Sequence, residues 1–181
     1  MSAQSPESIL VPYRVAADRV MAGTLAVHLL VCLIVAGFNG SWLAALAVGL
    51  PALGVPFAIS RALPGSLVSR IAMATAFMVF SALLIQQTRG MIEAHFGIFA
   101  LLAFLLYYRD WRPVVVAAAV IAVHHLAFNA LQAANTGFYL LQQGADWGIV
   151  VIHALYVVVE SAILVYMSVR LRAEALDGAT V

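Results

Sequence analysis

The chain has 181 residues, 65% of them hydrophobic and only 9% charged, and its mean hydropathy is +1.03. Soluble domains carry about 45–50% apolar and about 25% charged residues, so a water-soluble enzyme, a disordered segment and a nucleic-acid binder are excluded. The formal net charge of +1 points to no partner, and the single cysteine, Cys32, rules out an internal disulfide.

Residues 1–15 read as a short N-terminal segment. Met1–Ser8 is polar and has no basic stretch ahead of an apolar run, so no cleaved signal peptide is expected. Six apolar runs follow, each close to the roughly 20 residues a helix needs to cross a bilayer. They are Ala16–Phe38, Trp42–Ser60, Leu67–Thr88, Met91–Tyr108, Pro113–Ala133 and Trp147–Arg170. Asn39-Gly40-Ser41 ends the first, and Ala62-Leu63-Pro64-Gly65-Ser66 ends the second, in which Pro51 and Pro56 predict kinks. Only Thr88-Arg89-Gly90 separates the third from the fourth, but a single span over 67–108 is twice too long for a bilayer. Arg109-Asp110-Trp111-Arg112-Pro113 makes a tight charged hairpin, with Asp110 pairing one arginine and Pro113 opening the fifth run. Asn135–Asp146 is the longest break. Its Phe138, Tyr139, Leu140 and Leu141 place it at the membrane interface rather than in open solvent. Residues 171–181 form a polar tail.

All nine basic residues are arginine. Arg14, Arg19, Arg61, Arg70, Arg109, Arg112, Arg170 and Arg172 fall at one side of the predicted membrane and Arg89 alone at the other. By the positive-inside rule both termini are cytoplasmic. The expected fold is therefore all-α, an integral membrane bundle of six transmembrane helices over residues 16–170.

Ionisable groups inside spans are costly and point to function. Here they are His28, His95, His124, His125, His153, Glu93 and Glu160. Every histidine lies in a span. At 1.5 Å per residue, the five sit about 6–15 Å below the outer surface, and Glu160 about 20 Å below it. His153, Tyr156 and Glu160 share one face of the sixth span, His28 and Cys32 one face of the first, and His125, Asn129 and Gln132 form a polar stripe on the fifth. Two ligation schemes follow: a copper, zinc or iron ion held by imidazoles, with Glu93, Glu160 or Cys32 as further candidates, or a haem b clamped by two histidines. Gly97, Ala118, Ala119, Ala122 and Gly148 leave room for a porphyrin. Plainer roles stand beside these: Glu93 as a first-turn acid or a partner of Arg89, Cys32 as a packing residue, and the aromatic residues from Phe96 to Tyr108 as lipid and core contacts.

Four stretches together carry a resemblance. They are Glu93-Ala94-His95-Phe96-Gly97-Ile98-Phe99, Tyr108-Arg109-Asp110-Trp111-Arg112-Pro113, Ala122-Val123-His124-His125-Leu126 and His153-Ala154-Leu155-Tyr156-Val157-Val158-Val159-Glu160. Their combination resembles the multi-span N-terminal sensor region of a group of bacterial methyl-accepting chemotaxis proteins, most specifically over residues 73–166. The resemblance implies a sensory input module in a bacterial inner membrane, not an enzyme. Its signal would pass through the C-terminal end of the sixth span to a cytoplasmic signalling domain or partner protein, and a homodimer is compatible with it. It matches at His95, His124, His125 and His153. It departs at Gln86 and Arg89, where relatives of that group often carry histidines, and in the short tail after the sixth span, where they carry an output domain. Two other classes stay open: a haem b electron-transfer protein, and a small proton or cation transporter or channel using Glu160 and the histidines. No nucleotide-binding glycine motif is present.

Overall fold

A computed structural model describes residues 6–178. The described chain is all-helical: α1 (Pro6–Asn39), α2 (Trp42–Ala62), α3 (Leu67–Gln87), α4 (Ile92–Phe104), a 3-10 turn (Leu105–Tyr108), α5 (Trp111–Ala133) and α6 (Trp147–Asp177). Five of these helices are long and apolar enough to cross a membrane, and Ile92–Tyr108 is a shorter apolar one. The protein is a multi-pass membrane protein. The tighter rise of the 3-10 turn, about 2.0 Å per residue, brings the α4 segment to about 27 Å, close to a hydrocarbon core of about 30 Å.

Helix boundaries follow local chemistry. Ser66 caps α3 by accepting from the Ser69 N–H, Asp110 caps α5 by accepting from Arg112, and Asp146 caps α6 by accepting from Ile149. Gly40, Gly65 and Gly90 take positive φ at three of the reversals. Two expectations shift, the starts of α1 and α5, and the prolines of α2 lie inside one helix. Helix α1 starts at Pro6, ten residues before Ala16, because Arg14 and Asp18 are buried against the bundle and the helix carries them inward. Helix α2 is continuous across Pro51 and Pro56. Helix α5 starts at Trp111, so Pro113 falls within its first turn, where no backbone donor is needed.

Helix α3 is the central element, packed on α1, α2, α4 and α5 and buried on most of its surface. Helix α6 packs mainly on α5 and buries little beyond Val150, Leu164 and Ser168. Many large apolar residues are exposed, among them Val27, Leu30, Leu43, Val123, Leu155 and Val159. That surface suits lipid.

Polar residues gather at the two ends. At the arginine-rich end Asp18 is 4% exposed and works on both oxygens. It accepts from the Tyr108 hydroxyl at 2.8 Å and from the Gly65 N–H at 2.7 Å. Arg70 pairs with Asp110, so the arginine partner of Asp110 comes from α3 rather than from its own hairpin. At the opposite end Gln87 donates to the Cys32 carbonyl and to Ser41 Oγ, and Asn39 donates to the Gln87 carbonyl, tying α1, α2 and α3 together.

The 134–146 connection at this second end folds into the bundle. Leu140 and Leu141 are buried. Gln132 Oε1 accepts from both their N–H groups and its Nε2 donates to the Leu141 carbonyl. Gln86 accepts from the Tyr139 N–H and donates to the Gly137 carbonyl. Asn129 accepts from the Asp146 N–H. Gly90 meets the Leu141 backbone so closely that a Cβ there would lie 2.5 Å from the Leu141 carbonyl carbon.

Candidate functional site

Three of the five histidines come together, each from a different helix: His95 from α4, His125 from α5 and His153 from α6. Their ring centres are 5.5 Å apart for His95 and His125, 5.3 Å for His95 and His153, and 5.9 Å for His125 and His153. His95 is 1% and His125 7% exposed, and His153 is half-buried.

The helices themselves set the tautomers. His95 Nδ1 lies 3.1 Å from the Met91 carbonyl, His125 Nδ1 2.9 Å from the Ile121 carbonyl and His153 Nδ1 2.8 Å from the Ile149 carbonyl. Each partner is the carbonyl four residues back, which the helical direction of the side chain brings within reach. A carbonyl can only accept, so Nδ1 carries the proton and a neutral ring keeps its lone pair on Nε2. His95 Nε2 is buried without a hydrogen bond, although the Leu140 backbone lies close to the same ring. The cluster thus presents lone pairs rather than N–H groups.

Below the rings lies a cavity of about 380 Å³ between α4, α5 and α6. His95, His125 and His153 border it together with Ile98, Phe99, Ala118, Ala119, Ala122, Ala154 and Ser161. The alanines leave the space open. Its lipid side runs between Val115 and Leu126 of α5 and Val158 of α6, all exposed.

The remaining candidates stand elsewhere. His124 adjoins the cluster, its ring 5.3 Å from that of His125, but it stacks on Phe128 at 4.1 Å. Its Nε2 is buried without a partner. His28 is on the other side of α3, against Phe77 and Phe80 at 6.5 and 6.3 Å, with Nδ1 on the Thr24 carbonyl. Glu93 is exposed in the first turn of α4. Glu160 is half-buried on α6 outside the cavity lining, with Oε2 unpartnered. Cys32 is a buried free thiol packed in the core. Gly97 and Gly148 do not border the cavity.

Among the described residues no three His, Cys, Asp or Glu side chains are arranged to hold a metal ion. The Asn129 and Gln132 part of the fifth-span stripe serves the 134–146 connection instead of the histidine cavity. Comparison with known protein families, curated proteins and solved structures gives no match.

Proposed function

We propose that the protein is a membrane-embedded sensory input module that binds a copper, zinc or iron ion through His95, His125 and His153. The observation that carries this reading is the ring spacing. A ring nitrogen bound at about 2.0–2.1 Å puts its ring centre about 3.2 Å from the ion, so the centres of neighbouring ligands lie about 5.2 Å apart in tetrahedral and about 5.5 Å apart in trigonal geometry. The separations of 5.3 and 5.5 Å match these values, and the third, 5.9 Å between His125 and His153, would have to close by a few tenths of an ångström. Two axial haem ligands on opposite sides of an iron need about 6.4 Å by the same arithmetic. The lone pairs on Nε2 have the right chemistry for a metal, and this reading requires the three rings to turn towards a common point.

In this reading all six apolar segments cross a bacterial inner membrane with both termini cytoplasmic, as the eight-to-one arginine distribution supports. Ligation draws α4, α5 and α6 together, and α6 carries the change to its cytoplasmic end, in the manner of a chemotaxis-type receptor. Elemental analysis and an absorption spectrum of the protein purified in mild detergent test the site. About one metal ion per chain and no Soret band is the expected result. A Soret band replaces the metal with haem b, and neither signal after reconstitution removes ligation altogether.

The unpartnered Glu160 carboxyl oxygen favours one rival, a proton or cation path along α6. That reading requires ion flux in liposomes, abolished by Glu160→Gln.

A further inference from the structure

Two cavities meet at the arginine-rich end, between α1, the 3-10 turn and α6. The deeper one, about 430 Å³, is bordered by apolar residues including Val20, Phe104 and Leu106. The outer one, about 340 Å³, is bordered by Tyr13, Arg109 and Glu174. Arg109 and Leu171 border both, so they form one channel. The gap exists because α1 and α6 touch only lightly and the 3-10 turn bridges them.

The walls of this channel change character in the same order. On α1 the lining passes from Val20 to Tyr13, on the third wall from Phe104 to Arg109, and on α6 from Leu171 to Glu174. Each step runs from apolar to polar towards the arginine-rich end. An amphiphile whose tail lies in the membrane and whose head lies at its surface matches this gradient.

The polar end has one cation and one anion. The Arg109 guanidinium stacks on the Tyr13 ring at 4.2 Å. Stacking fixes the guanidinium plane and leaves its N–H edges for an oxyanion. The Arg109 backbone is held at φ +51°, a left-handed conformation that a long side chain seldom adopts. The Glu174 carboxylate borders the same cavity. A phosphodiester would bond Arg109, and a primary ammonium a few bonds away would meet Glu174. Free phosphate would leave the apolar half unused. An anionic glycerol headgroup would bring no cation to Glu174.

The geometry points to a binding site for one phospholipid with a zwitterionic primary-amine headgroup: phosphate on Arg109, ammonium on Glu174 and an acyl chain between Val20 and Phe104. The site is separate from the histidine cavity and does not depend on a metal there. It places a lipid as a wedge between α1 and α6.

Native mass spectrometry of the full chain in micelles tests this, with phosphatidylethanolamine, phosphatidylglycerol and phosphatidylcholine of matched chains as competing probes. One phosphatidylethanolamine is retained per protein, about tenfold in preference to the others, the scale of one charge-assisted hydrogen bond. Arg109→Asn, which tolerates the left-handed backbone, lowers that retention about tenfold. Glu174→Gln removes the preference over phosphatidylglycerol while leaving total lipid retention, a change that misfolding does not produce. Equal retention of the three lipids, a preference for phosphatidylglycerol in the unmodified protein, or Glu174→Gln with unchanged selectivity overturns the proposal.

Discussion

The Tyr108 hydroxyl donates to Asp18 Oδ1 across a separation of 90 residues, and both side chains are buried. The bond joins the 3-10 turn before α5 to the first half of α1. The second Asp18 oxygen already serves the Gly65 N–H. Tyr108→Phe therefore leaves one carboxylate oxygen in the interior without this partner. It should cost about 1.5–3 kcal/mol, the range for hydrogen bonds to charged groups, read as a lowered unfolding midpoint in detergent. An unchanged midpoint would mean that water replaces the hydroxyl.

Gln132 makes three hydrogen bonds to the backbone of Leu140 and Leu141. Gln132→Ala removes all of them. At about 0.5–1.5 kcal/mol each, amide exchange at Leu140 and Leu141 should accelerate by at least tenfold. Exchange along α3 should stay as it was. Hydrogen exchange with peptide-level resolution separates this local opening from global unfolding.

Gly90 and Gly40 have nearly the same φ, +80° and +75°, but a Cβ at Gly40 meets open space while one at Gly90 meets the Leu141 backbone. Gly40→Ala should cost about 1–2 kcal/mol, the left-handed penalty alone. Gly90→Ala adds a clash with backbone that cannot rotate away, so its unfolding midpoint should fall clearly further. Equal losses from the two substitutions would show that the 134–146 connection yields freely.

The histidines should divide by location. Single substitutions of His95, His125 or His153 by Ala should weaken metal binding by more than about 100-fold, beyond the range for residues that only support a ligand. His28→Ala, on the far side of α3, should leave stoichiometry and affinity unchanged. Titration of the metal-free protein with Cu(I) and Zn(II) measures both. A loss caused by His28→Ala would place the site elsewhere.

The apolar runs and the breaks between them are legible in the sequence because each reversal carries its own chemistry. Thr88-Arg89-Gly90 marks the α3–α4 boundary, and Gly90 there takes the positive φ that a three-residue reversal needs. Which histidines meet was legible only through the resemblance, which matches at His95, His124, His125 and His153 and not at His28. A helix that is apolar all round has no polar stripe to fix its rotation, so depth alone placed all five in one band. His28 shares that depth and faces away from the other three. The His125, Asn129 and Gln132 stripe was visible as a pattern, but its two ends do different work, since the 134–146 connection that Asn129 and Gln132 hold returns only after the helix has ended. The Asp18–Tyr108 bond had no local signal at all, and Arg14 and Arg70 counted only towards orientation although both are buried.

Asp146 fixes the start of α6 twice. Its carboxylate caps the helix and its N–H is held by Asn129 of α5. From there α6 runs 31 residues along a flank with few buried contacts, a length of about 46 Å. A rod secured at one end and loosely flanked is a lever, and sliding along its axis would first have to break the bond from the Asp146 N–H to Asn129. A tilt of about 5° at that fulcrum moves the far tip by about 4 Å. His153 is only seven residues from the fulcrum, so a displacement of a fraction of an ångström at its ring is magnified several-fold at Asp177.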